Sequence, residues 1–576
     1  MKGQLSLSVR RRPNQVYRNP HASATSRVGV SAFPGLALKE WREGQDELDW
    51  ARNSVAYQIF ADRFAPHPDQ GHQSDTGLQL APWGSTPTLR DFQGGHLLGV
   101  VDKMDYLQDL GVNLLYLTPV NTSSAYHRYH PTDFFAVDPL LGGEAAMQEL
   151  LAKADRKGMR VVVDGVFNHT GRGHPSFVSL MENGPASPYK DWFTVHKWPL
   201  EAYEHERGET RFDCWWGIPE LPELNFDNPG VRAHILAAGK HWLDAGCAGW
   251  RLDAPTRVPG TFWSHFRRTC KEARPDAYLV GEVFGLQPEW TGNHCFDALM
   301  NYTFGSMAMG FFGRAELQQD EAIGGDYAIN KLDVEQFARG VDAMHAAYRD
   351  VDGAAPPFLH LNLYDSHDTA RALWMLKGDT VALEQVVLFQ MTMPGIPMIY
   401  YGDEVGLSGG RDPANRAAFP WHRPSTWNME LLEFFKRATA LRNAHSVLRV
   451  GGYQRVPVVS SDGAALSEIF AFIRWKSSDK DDRGGALALV VFNVSEVAAR
   501  DVHICLARSA VGGSIAAGTL MQDEWNSGGT ISTKSQLQVL DGGDVKGLAI
   551  LARQVMVFIS AEVAITVAED KSVDFA

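Results

Sequence analysis

Eight short runs of mostly apolar residues alternate, from about residue 51 onward, with stretches in which apolar residues recur at helical spacing. In chain order, the eight runs read SVAYQIFADRF, VNLLYLTPV, MRVVVDGVF, AGWRLDA, AYLVGEVF, FDALMNYTF, FLHLNLYDS and PMIYYGDEVG. Strands that alternate with helices pair in parallel through βαβ units. Eight such units predict an α/β fold whose strands close into a (β/α)8 barrel, a TIM barrel, with its site at the carboxyl ends of the strands.

The helical stretches include MDYLQDLG, EAAMQELLAKADRKG and VRAHILAAGKHWLDAG. These patterns close on Gly111, Gly158 and Gly246. Glycine often follows a helix, because it adopts the left-handed backbone conformation at no steric cost. The glycines therefore predict where three barrel helices end, and MELLEFFKRATALRNAH is expected to form the last barrel helix.

The periodicity changes along the chain and predicts several domains. We expect a barrel at residues 51–449, after an N-terminal tail and lead-in at residues 1–50. About fifty residues rich in Gly, Pro, Trp and His follow the third run, which is too long for a plain loop. They predict a small inserted domain at about residues 170–222. Short β runs separated by Gly, Ser and Asp predict a C-terminal antiparallel β domain, a β-sandwich, at residues 450–576.

The chain is acidic, with a formal net charge of −14 at pH 7. An acidic surface repels phosphate groups, so the composition argues against nucleic acid and an anionic membrane as partners. No apolar run reaches the length of a membrane span, since GLAILARQVMVFIS is short and contains Arg553. The cysteines, 5 in number and without CxxC spacing, predict reduced thiols, a cytoplasmic location and no zinc site.

The N-terminal tail is basic and rich in serine, and its first acidic residue is Glu40. Organelle transit peptides and disordered basic tails share this composition. A disordered tail is the preferred interpretation, and an organelle is the alternative to the cytoplasm.

Charged side chains follow several of the predicted strands, and a barrel brings them to one opening. In chain order they are Asp164, His169, Arg251, Asp253, Glu282, His367 and Asp368. Residues i and i+2 of a strand point to the same face, so Arg251 and Asp253 lie side by side. An ordinary ion pair is one interpretation of these two residues. Four carboxylates in one pit are instead typical of a functional site, because buried like charges are costly and shift each other's pKa.

Two chemistries fit this cluster. Glycoside hydrolysis needs a carboxylate nucleophile and a carboxylic acid on opposite sides of the scissile bond. Metal-assisted hydrolysis would use His169, His367 and the aspartates as ligands. Metal sites usually show histidine spacing such as HxH or HExxH, and none falls on a strand end here. The sequence therefore favours glycoside hydrolysis.

At these strand ends the chain resembles the α-amylase family, glycoside hydrolase family 13. DGVFNH, GWRLDAP, GEVF and LYDSHDTAR resemble its four central motifs, in order, and GVNLLYLTPV resembles its second-strand motif. LPELN resembles the domain-B motif, which reads MPKLN in the neopullulanase, cyclomaltodextrinase and maltogenic amylase branch. GIPMIYYGDEVGLSGGRDPANRAAFPW resembles the eighth-strand region of that branch. The resemblance implies that the insertion after the third strand is domain B.

The resemblance implies a retaining mechanism carried by three carboxyl groups. Asp253 would be the nucleophile that forms a covalent glycosyl-enzyme ester. Glu282 would protonate the leaving oxygen and then activate water, with the two carboxyl groups roughly 5–5.5 Å apart. Asp368 would hold sugar hydroxyls and stabilise the transition state. Arg251 would position Asp253 and keep it ionised, since a neighbouring cation lowers the pKa of a carboxyl group.

The resemblance also implies substrate-binding residues. His169 and His367 would hydrogen-bond the sugar beside the cut, and Tyr129 would stack under that sugar. Asp412 and Arg416 would contact the next sugar outward.

Two further polar residues have supporting roles in this comparison. Asp164 would brace Arg251 rather than react. Asn168 matches a calcium ligand of many α-amylases, and a hydrogen-bonded structural asparagine is an equal alternative. We expect no required cofactor, with calcium as the one candidate ion.

The chain departs from the neopullulanase branch on the acceptor side of the site. Residues 254–257 read Ala-Pro-Thr-Arg where the branch usually has Val-Ala-Asn-Glu, and Glu223 stands where it has lysine. Phe284 and Gly285 replace the common Trp-His after the acid. Only about fifty residues precede the barrel, where the branch carries a separate β domain that builds its dimer. The choice between monomer and homo-oligomer therefore stays open.

The expected function is that of a retaining α-glucan hydrolase. It would cut α-1,4-glucosidic bonds in maltooligosaccharides, cyclodextrins, pullulan or starch, with some transglycosylation. A glucosyl transferase, or a sucrose- or trehalose-type enzyme of the same family, is the alternative within enzymes. An inactive glucan-binding protein is the alternative from another class, but the three predicted catalytic carboxyl groups argue against it.

Overall fold

The computed structural model of the protein describes most of the chain between residues 47 and 560. The described ranges are 47–69, 77–203, 209–292, 295–314, 317–318, 329–349, 358–476, 485–509, 515, 518–526, 536–540 and 543–560. The predicted N-terminal tail lies almost entirely outside the described residues. The choice between a transit peptide and a disordered tail therefore stays a prediction.

Eight parallel strands form a closed barrel, and they coincide with the eight runs predicted from the sequence, although the eighth strand begins one residue before its run. They are β1 (Ala56–Ile59), β2 (Leu114–Leu117), β3 (Arg160–Gly165), β4 (Gly249–Leu252), β5 (Tyr278–Gly281), β6 (Ala298–Asn301), β7 (Leu361–Asn362) and β8 (Ile396–Tyr400). Ala56 of β1 lies beside Leu114 on one side and Met398 on the other, which closes the ring. Most strand residues are apolar because the barrel interior covers one face and helices cover the other. The predicted TIM barrel is confirmed.

Helices separate most of the strands and surround the barrel, and between β5 and β6 the described residues form the 3-10 turn Pro288–Trp290 instead. They are α1 (Asp49–Arg52), α2 (Leu97–Asp102), α3 (Met104–Asp109), α4 (Gly143–Arg156), α5 (Pro175–Asn183), α6 (Pro229–Asp244), α7 (Gly260–Ala273), α8 (Tyr302–Phe312), α9 (Val334–Arg349), α10 (Ala372–Met375), α11 (Thr380–Thr392), α12 (Met429–Ala444) and α13 (Ser446–Val450). Gly111, Gly158 and Gly246 follow α3, α4 and α6 with φ of 84°, 67° and 115°, so the predicted helix ends are confirmed. The predicted last barrel helix is α12.

The barrel is least regular around β7, which has two residues. Asn362 lies beside Asn301 of β6 and Pro397 of β8, and proline has no backbone N–H to give to the ladder. Gln390 Nε2 instead donates to the Asn362 carbonyl at 2.9 Å. The Asn362 side chain accepts from Asn301 Nδ2 at 2.9 Å and donates to the Pro394 carbonyl at 2.8 Å. Buried amide side chains therefore support the barrel where its ladder is interrupted.

The chain between β3 and α6 forms an irregular insertion with short bridges. Val195 pairs with Phe212, and Cys214 pairs with Pro222. The ring of Phe177 in α5 lies 5.0 Å from that of Phe193 and 5.2 Å from that of Phe212. This aromatic contact ties the helix of the insertion to its bridged segments. The limits of the insertion at residues 170–222, like the other domain boundaries, stay a prediction.

Antiparallel strands follow α13 and form two sheets. They are β9 (Gly452–Arg455), β10 (Val458–Val459), β11 (Ile469–Lys476), β12 (Ala486–Asn493), β13 (Ala499–Ile504), β14 (Leu520–Asp523), β15 (Gln536–Gln538), β16 (Val545–Ile550) and β17 (Val555–Ser560). One sheet has the order β15-β14-β17-β12-β11-β9, and the other β10-β13-β16. The predicted antiparallel C-terminal β structure is confirmed.

The larger C-terminal sheet contributes to two cores. Successive residues of β11 point to opposite faces. Ile469, Ala471 and Ile473 join a core that also contains residues of the smaller sheet. Phe470 and Phe472 join the core of the barrel. The C-terminal sheets and the barrel are thus packed through a shared apolar layer.

Among the described residues, no helix has both the length and the apolar character that a bilayer crossing requires.

All five cysteines lie among the described residues, and none forms a disulfide. Burial raises the pKa of the Cys247 thiol to about 12, which keeps it protonated at neutral pH.

The shared layer generates a stability prediction. Phe472 is fully buried, with its ring 6.3 Å from Phe389 of α11 and 6.4 Å from Phe492. We expect Phe472→Ala to lower the free energy of unfolding by about 3–5 kcal/mol, measured by denaturant unfolding, because it leaves a cavity between sheet and barrel. Val497→Ala is the control, since Val497 is 70% exposed. Equal effects of the two variants would contradict a shared core.

Candidate active site

The guanidinium of Arg251 lies at the centre of the opening formed by the carboxyl ends of the strands. Arg251 belongs to β4, and its side chain is fully buried. Nη1 lies 3.0 Å from Asp164 and 2.9 Å from Asp253. Nη2 lies 2.6 Å from Glu282 and 3.8 Å from Asp368. The four carboxylates that the sequence analysis assigned to one pit therefore meet around one cation.

Asp164 contacts Arg251 from the neighbouring strand β3. It lies beside Arg251 in the β3–β4 register, and its carboxylate is fully buried. Oδ2 accepts hydrogen bonds from the hydroxyls of Tyr116 and Tyr129, each at 2.7 Å. With both tyrosines and the guanidinium as donors, Asp164 has the surroundings of a bracing residue.

Asp253 and Glu282 occupy neighbouring nitrogens of the same guanidinium, and each keeps 11% of its side chain exposed. Glu282 Oε2 also accepts the backbone N–H of Ala254 at 3.0 Å. Ala254 has φ 42° and ψ 44°, the left-handed region, and this turn follows the predicted nucleophile. The backbone after Asp253 thus helps to position the predicted acid.

Asp368 and His367 lie on the other side of the pit. Gln58 Nε2 is 2.8 Å from His367 Nδ1 and must donate to it, which assigns the ring hydrogen to Nε2. His367 Nε2 faces the Tyr129 hydroxyl at 2.6 Å and Asp368 at 3.3 Å. Burial lowers the pKa of His367 to about 3, so the ring is neutral. The Tyr129 hydroxyl can therefore accept from His367 while it donates to Asp164.

His169 and Tyr129 lie close to each other in the structure. Burial lowers the pKa of His169 to about 4, so this ring too is neutral. His169 Nε2 donates to the Tyr129 carbonyl at 3.0 Å, and Asn168 Nδ2 donates to His169 Nδ1 at 3.3 Å. A hydrogen bond from His169 to a sugar would have to share the Nε2 hydrogen. The Tyr129 ring lies parallel to His367 with centroids 5.3 Å apart, so protein covers one of its faces.

Asp412 and Arg416 lie together at the outer edge of the pit. Arg416 Nη1 is 3.1 Å from Asp412 and 3.2 Å from the hydroxyl of Tyr126, which donates to Asp412 at 3.1 Å. Arg416 Nη2 lies 3.8 Å from Asp368. A chain of polar contacts therefore leads from the pit to Asp412, which is exposed.

Asn168 is engaged with protein groups. Its Nδ2 donates to Glu223 at 3.3 Å, and its backbone carbonyl accepts from the Leu224 N–H at 3.0 Å. Within the described ranges, no group of three or more His, Cys, Asp and Glu residues has the geometry of a metal site. These contacts fit a structural asparagine, and calcium at Asn168 stays a prediction.

Comparison with known proteins identifies the family. Residues 58–429 match the model of the α-amylase catalytic domain. Over 408 residues the chain is 38% identical to a cyclomaltodextrinase from a Bacillus species, covering 70% of this chain and 68% of that relative. The chain belongs to the α-amylase family. It is therefore a glycoside hydrolase, as the sequence motifs predicted.

Solved structures of similar proteins share most of this architecture. A protein from Thermus thermophilus superposes with a TM-score of 0.76 and 36% identity, over 89% of this chain and 100% of that one. A cyclic α-maltosyl-(1→6)-maltose hydrolase from Arthrobacter globiformis, in its ligand-free form, gives a TM-score of 0.71 and 31% identity over 89% and 100%.

The carboxyl groups of this α-amylase-family site differ in proton affinity. Burial raises the pKa of Glu282 well above its usual value, and Asp253 and Asp368 add to the rise while Arg251 opposes it. Burial also raises the pKa of Asp253, to about 7. For Asp368, burial raises the pKa, but the charges of Arg251 and Arg416 and a hydrogen bond from Glu282 help to bring it below its usual value.

One expectation about Arg251 needs correction. We expected it to keep Asp253 ionised by lowering the pKa of that carboxyl group. Arg251 does lower it, but burial, together with the negative charges of Asp164 and Asp368, has the larger effect. The short separation of Arg251 and Asp253 in the sequence indicated that a cation lies beside the carboxyl group. It gave no indication of how far the folded pit excludes water from that group.

Several residues that shape the site were not predicted from the sequence. Gln58 and Tyr116 lie in the first two predicted strand runs. A polar group within an otherwise apolar strand could have marked each of them as a candidate site residue. Tyr126 was three residues from the predicted Tyr129. The pairing of Arg257 with Glu223 had no signal, because it joins segments that are distant in sequence.

The pKa directions predict the pH dependence of glycoside hydrolysis. Asp253 must be ionised to react, and its raised pKa means that this form is lost as the pH falls through about 7. Glu282 must be protonated, and its pKa, raised well above the usual value, lets it keep its proton to a higher pH than an ordinary glutamate. We expect the acid limb of the kcat/KM profile to lie near pH 7 and the alkaline limb to report the loss of the Glu282 proton. Constant kcat/KM between pH 7 and 5, with the fold intact by circular dichroism, would contradict this.

The contacts of Arg251 with Asp253 and Glu282 through two separate nitrogens generate a second prediction. Lysine keeps the charge of Arg251 but cannot contact Asp253 and Glu282 through two fixed nitrogens. We expect Arg251→Lys to lower kcat/KM by about 100-fold or more, since small misplacements of reacting groups have effects of that order. Arg267→Lys is the control, because Arg267 pairs with Asp297 away from the pit. A similar loss in both variants would show that the effect is structural.

Proposed function

We propose that this protein is a retaining α-glucan hydrolase that cleaves α-1,4-glucosidic bonds through a covalent glycosyl-enzyme intermediate. The observation that carries the proposal is the placement of Asp253 and Glu282 on neighbouring nitrogens of one buried guanidinium. Retaining glycosidases need two close carboxyl groups, one ionised and one protonated. We infer that Glu282, whose pKa is raised well above its usual value, carries the proton and that Asp253 is the nucleophile.

In the first step, the Asp253 carboxylate attacks the anomeric carbon and the bond from that carbon to the leaving oxygen breaks. Glu282 gives its proton to that oxygen, so the departing sugar leaves as a neutral alcohol. The product is an ester between Asp253 and the retained sugar. The Ala254 N–H and the Arg251 guanidinium hold the two oxygens of Glu282 while its charge changes.

In the second step, Glu282 is a carboxylate and takes a proton from water. The water oxygen bonds to the anomeric carbon, the ester bond breaks, and Asp253 leaves as a carboxylate. Glu282 ends protonated, ready for the next cycle. A sugar hydroxyl in place of water would give transglycosylation by the same proton transfers.

The remaining side chains would bind the sugar beside the cut. Asp368 keeps 27% of its side chain exposed and has a lowered pKa, so it offers an ionised acceptor for sugar hydroxyls. Its negative charge would also stabilise the positive charge that develops on the sugar ring. The neutral ring of His367 lies 3.3 Å from Asp368 and adds no charge beside it, and Arg416 would extend binding to the next sugar outward.

The names of two relatives support the proposed substrate class. One is named for cyclomaltodextrins and another for a cyclic maltosyl-maltose. We propose linear maltooligosaccharides and cyclodextrins as substrates, with pullulan and starch as polymers of the same chemistry. The proposed location is the cytoplasm, in accord with five cysteines that form no disulfide.

Product analysis tests the substrate class. The purified protein would be incubated with maltotriose, β-cyclodextrin, pullulan, soluble starch, sucrose and trehalose, with Asp253→Ala as the blank. Release of glucose and maltose from the α-1,4-linked substrates, first appearing as α-anomers by proton NMR, supports the proposal. Turnover of sucrose or trehalose alone would overturn the substrate class, and β-anomers would overturn retention.

The proton assignment makes a separate prediction for Glu282. We expect Glu282→Gln to lower kcat on maltotriose by about 100- to 10,000-fold, the usual contribution of a general acid and base. Maltooligosaccharide binding, measured by calorimetry, should persist because the amide keeps the shape of the side chain. Glu289→Gln is the control, since Glu289 is exposed and follows the same strand. Wild-type turnover in Glu282→Gln would show that another group is the acid.

A further inference from the structure

Two tryptophans project from the insertion beside the pit. Trp215 and Trp216 form a 3-10 turn with Gly217, and their rings are parallel within 1° with centroids 4.8 Å apart. Trp216 has φ 50° and ψ 26°, in the left-handed region that non-glycine residues rarely adopt. Its side chain is 58% exposed. We call this stacked pair the tryptophan platform.

The platform is connected to the predicted sugar-binding residues. The Trp215 ring lies 5.8 Å from the ring of His169, tilted by 36°. His169 in turn donates to the Tyr129 carbonyl and pairs through its backbone with Glu223. The neighbouring rings of His169, Trp215 and Trp216 therefore form a row that leads from the pit to the exposed surface.

An ion pair fixes the base of the platform against the barrel. Arg257, in the turn after β4, contacts Glu223 with two nitrogens, each at 3.0 Å from a carboxylate oxygen. Trp215 lies in the same hairpin as Glu223, because its N–H donates to the Leu221 carbonyl at 2.9 Å. A bidentate ion pair of this kind fixes the relative orientation of the two side chains in addition to their charge attraction.

The same ion pair explains two departures of this sequence from the neopullulanase branch. Arg257 stands where the branch has glutamate, and Glu223 stands where it has lysine. The two departures exchange the signs of the charges at these positions, and in this structure the two side chains attract each other. The hairpin of the platform is therefore anchored by a pair with reversed polarity.

A non-glycine residue in the left-handed region carries a backbone strain, and residues of this kind cluster at active sites and ligand-binding sites. A flat indole matches the apolar face of a pyranose ring, and aromatic contacts of this kind contribute about 0.5–1.5 kcal/mol beyond burial. We propose that the tryptophan platform binds a glucose unit of the α-glucan chain outside the pit, and that the Arg257–Glu223 pair is its positioning element. This inference rests on the proposed function and extends the substrate contact beyond the sugars at the cut.

The test compares substrates of two lengths. In Trp216→Gly we expect kcat/KM for maltohexaose to fall by about three- to tenfold, the value of one aromatic contact. For maltotriose we expect kcat/KM to stay near the wild-type value. Glycine suits the positive φ of residue 216, so the loss cannot come from added backbone strain. Trp216→Phe keeps a flat ring and should retain most of the preference for the longer substrate.

Charge exchange tests the positioning element. Arg257→Glu and Glu223→Lys each place like charges together and should weaken the preference for maltohexaose. The double variant, which has the polarity of the neopullulanase branch, should restore it, although it loses the Asn168 contact of Glu223. Singles that match the wild type, or a double variant no better than the singles, would overturn the positioning role.

Binding separates this inference from the proposed function. In the Glu282→Gln background, calorimetry with maltohexaose should show weaker binding when Trp216→Gly is added. Turnover of α-glucans by the wild type, with an unchanged length preference and unchanged binding in Trp216→Gly, would overturn the platform alone. Neither turnover nor binding of any α-glucan by the wild type would overturn both proposals.

Discussion

The active site depends on one buried cation, the guanidinium of Arg251, that is shared by four carboxylates. One positive charge cannot neutralise four negative charges in a medium of low dielectric, so the carboxyl groups cannot all ionise together. Their different surroundings decide which keep protons. Burial and the neighbouring carboxylates raise the pKa of Glu282, whereas nearby arginines and a hydrogen bond help to lower that of Asp368 below its usual value. The division of roles between acid and nucleophile is therefore a property of the cluster and not of any single residue.

The barrel explains how such a cluster can form. Parallel strands present their carboxyl ends at the same rim, and the β3–β4 register sets Asp164 directly beside Arg251. Neutral histidines and tyrosines then complete the hydrogen bonds without adding charge. Gln58, in a different strand, fixes the hydrogen of His367 and so directs it towards Tyr129. The rigid backbone of the barrel thus carries most of the organisation that the chemistry needs.

Much of this architecture could be predicted from the sequence, because apolar periodicity and helix-closing glycines are local signals. The barrel strands, three helix ends and the carboxylates around Arg251 all followed from such patterns. The raised pKa of Asp253 did not, since it depends on how completely the folded pit excludes water. Contacts between distant segments, such as Arg257 with Glu223, were equally hidden. Both charges appeared in the sequence as departures from the neopullulanase branch, and only the fold showed that they form a pair.

The short strand β7 has a consequence for the way the barrel opens. Neighbouring β1–β4 are held by regular ladders, whereas Asn362 is held by side-chain amides from Asn301 and Gln390. Side-chain hydrogen bonds can break by a rotamer change, without the cooperative loss of a whole strand pair. Local opening should therefore have its lowest free energy at the seam between β6, β7 and β8. In hydrogen–deuterium exchange, backbone amides at this seam would exchange sooner than those of β2 and β3, so the ring would have a defined point of first opening.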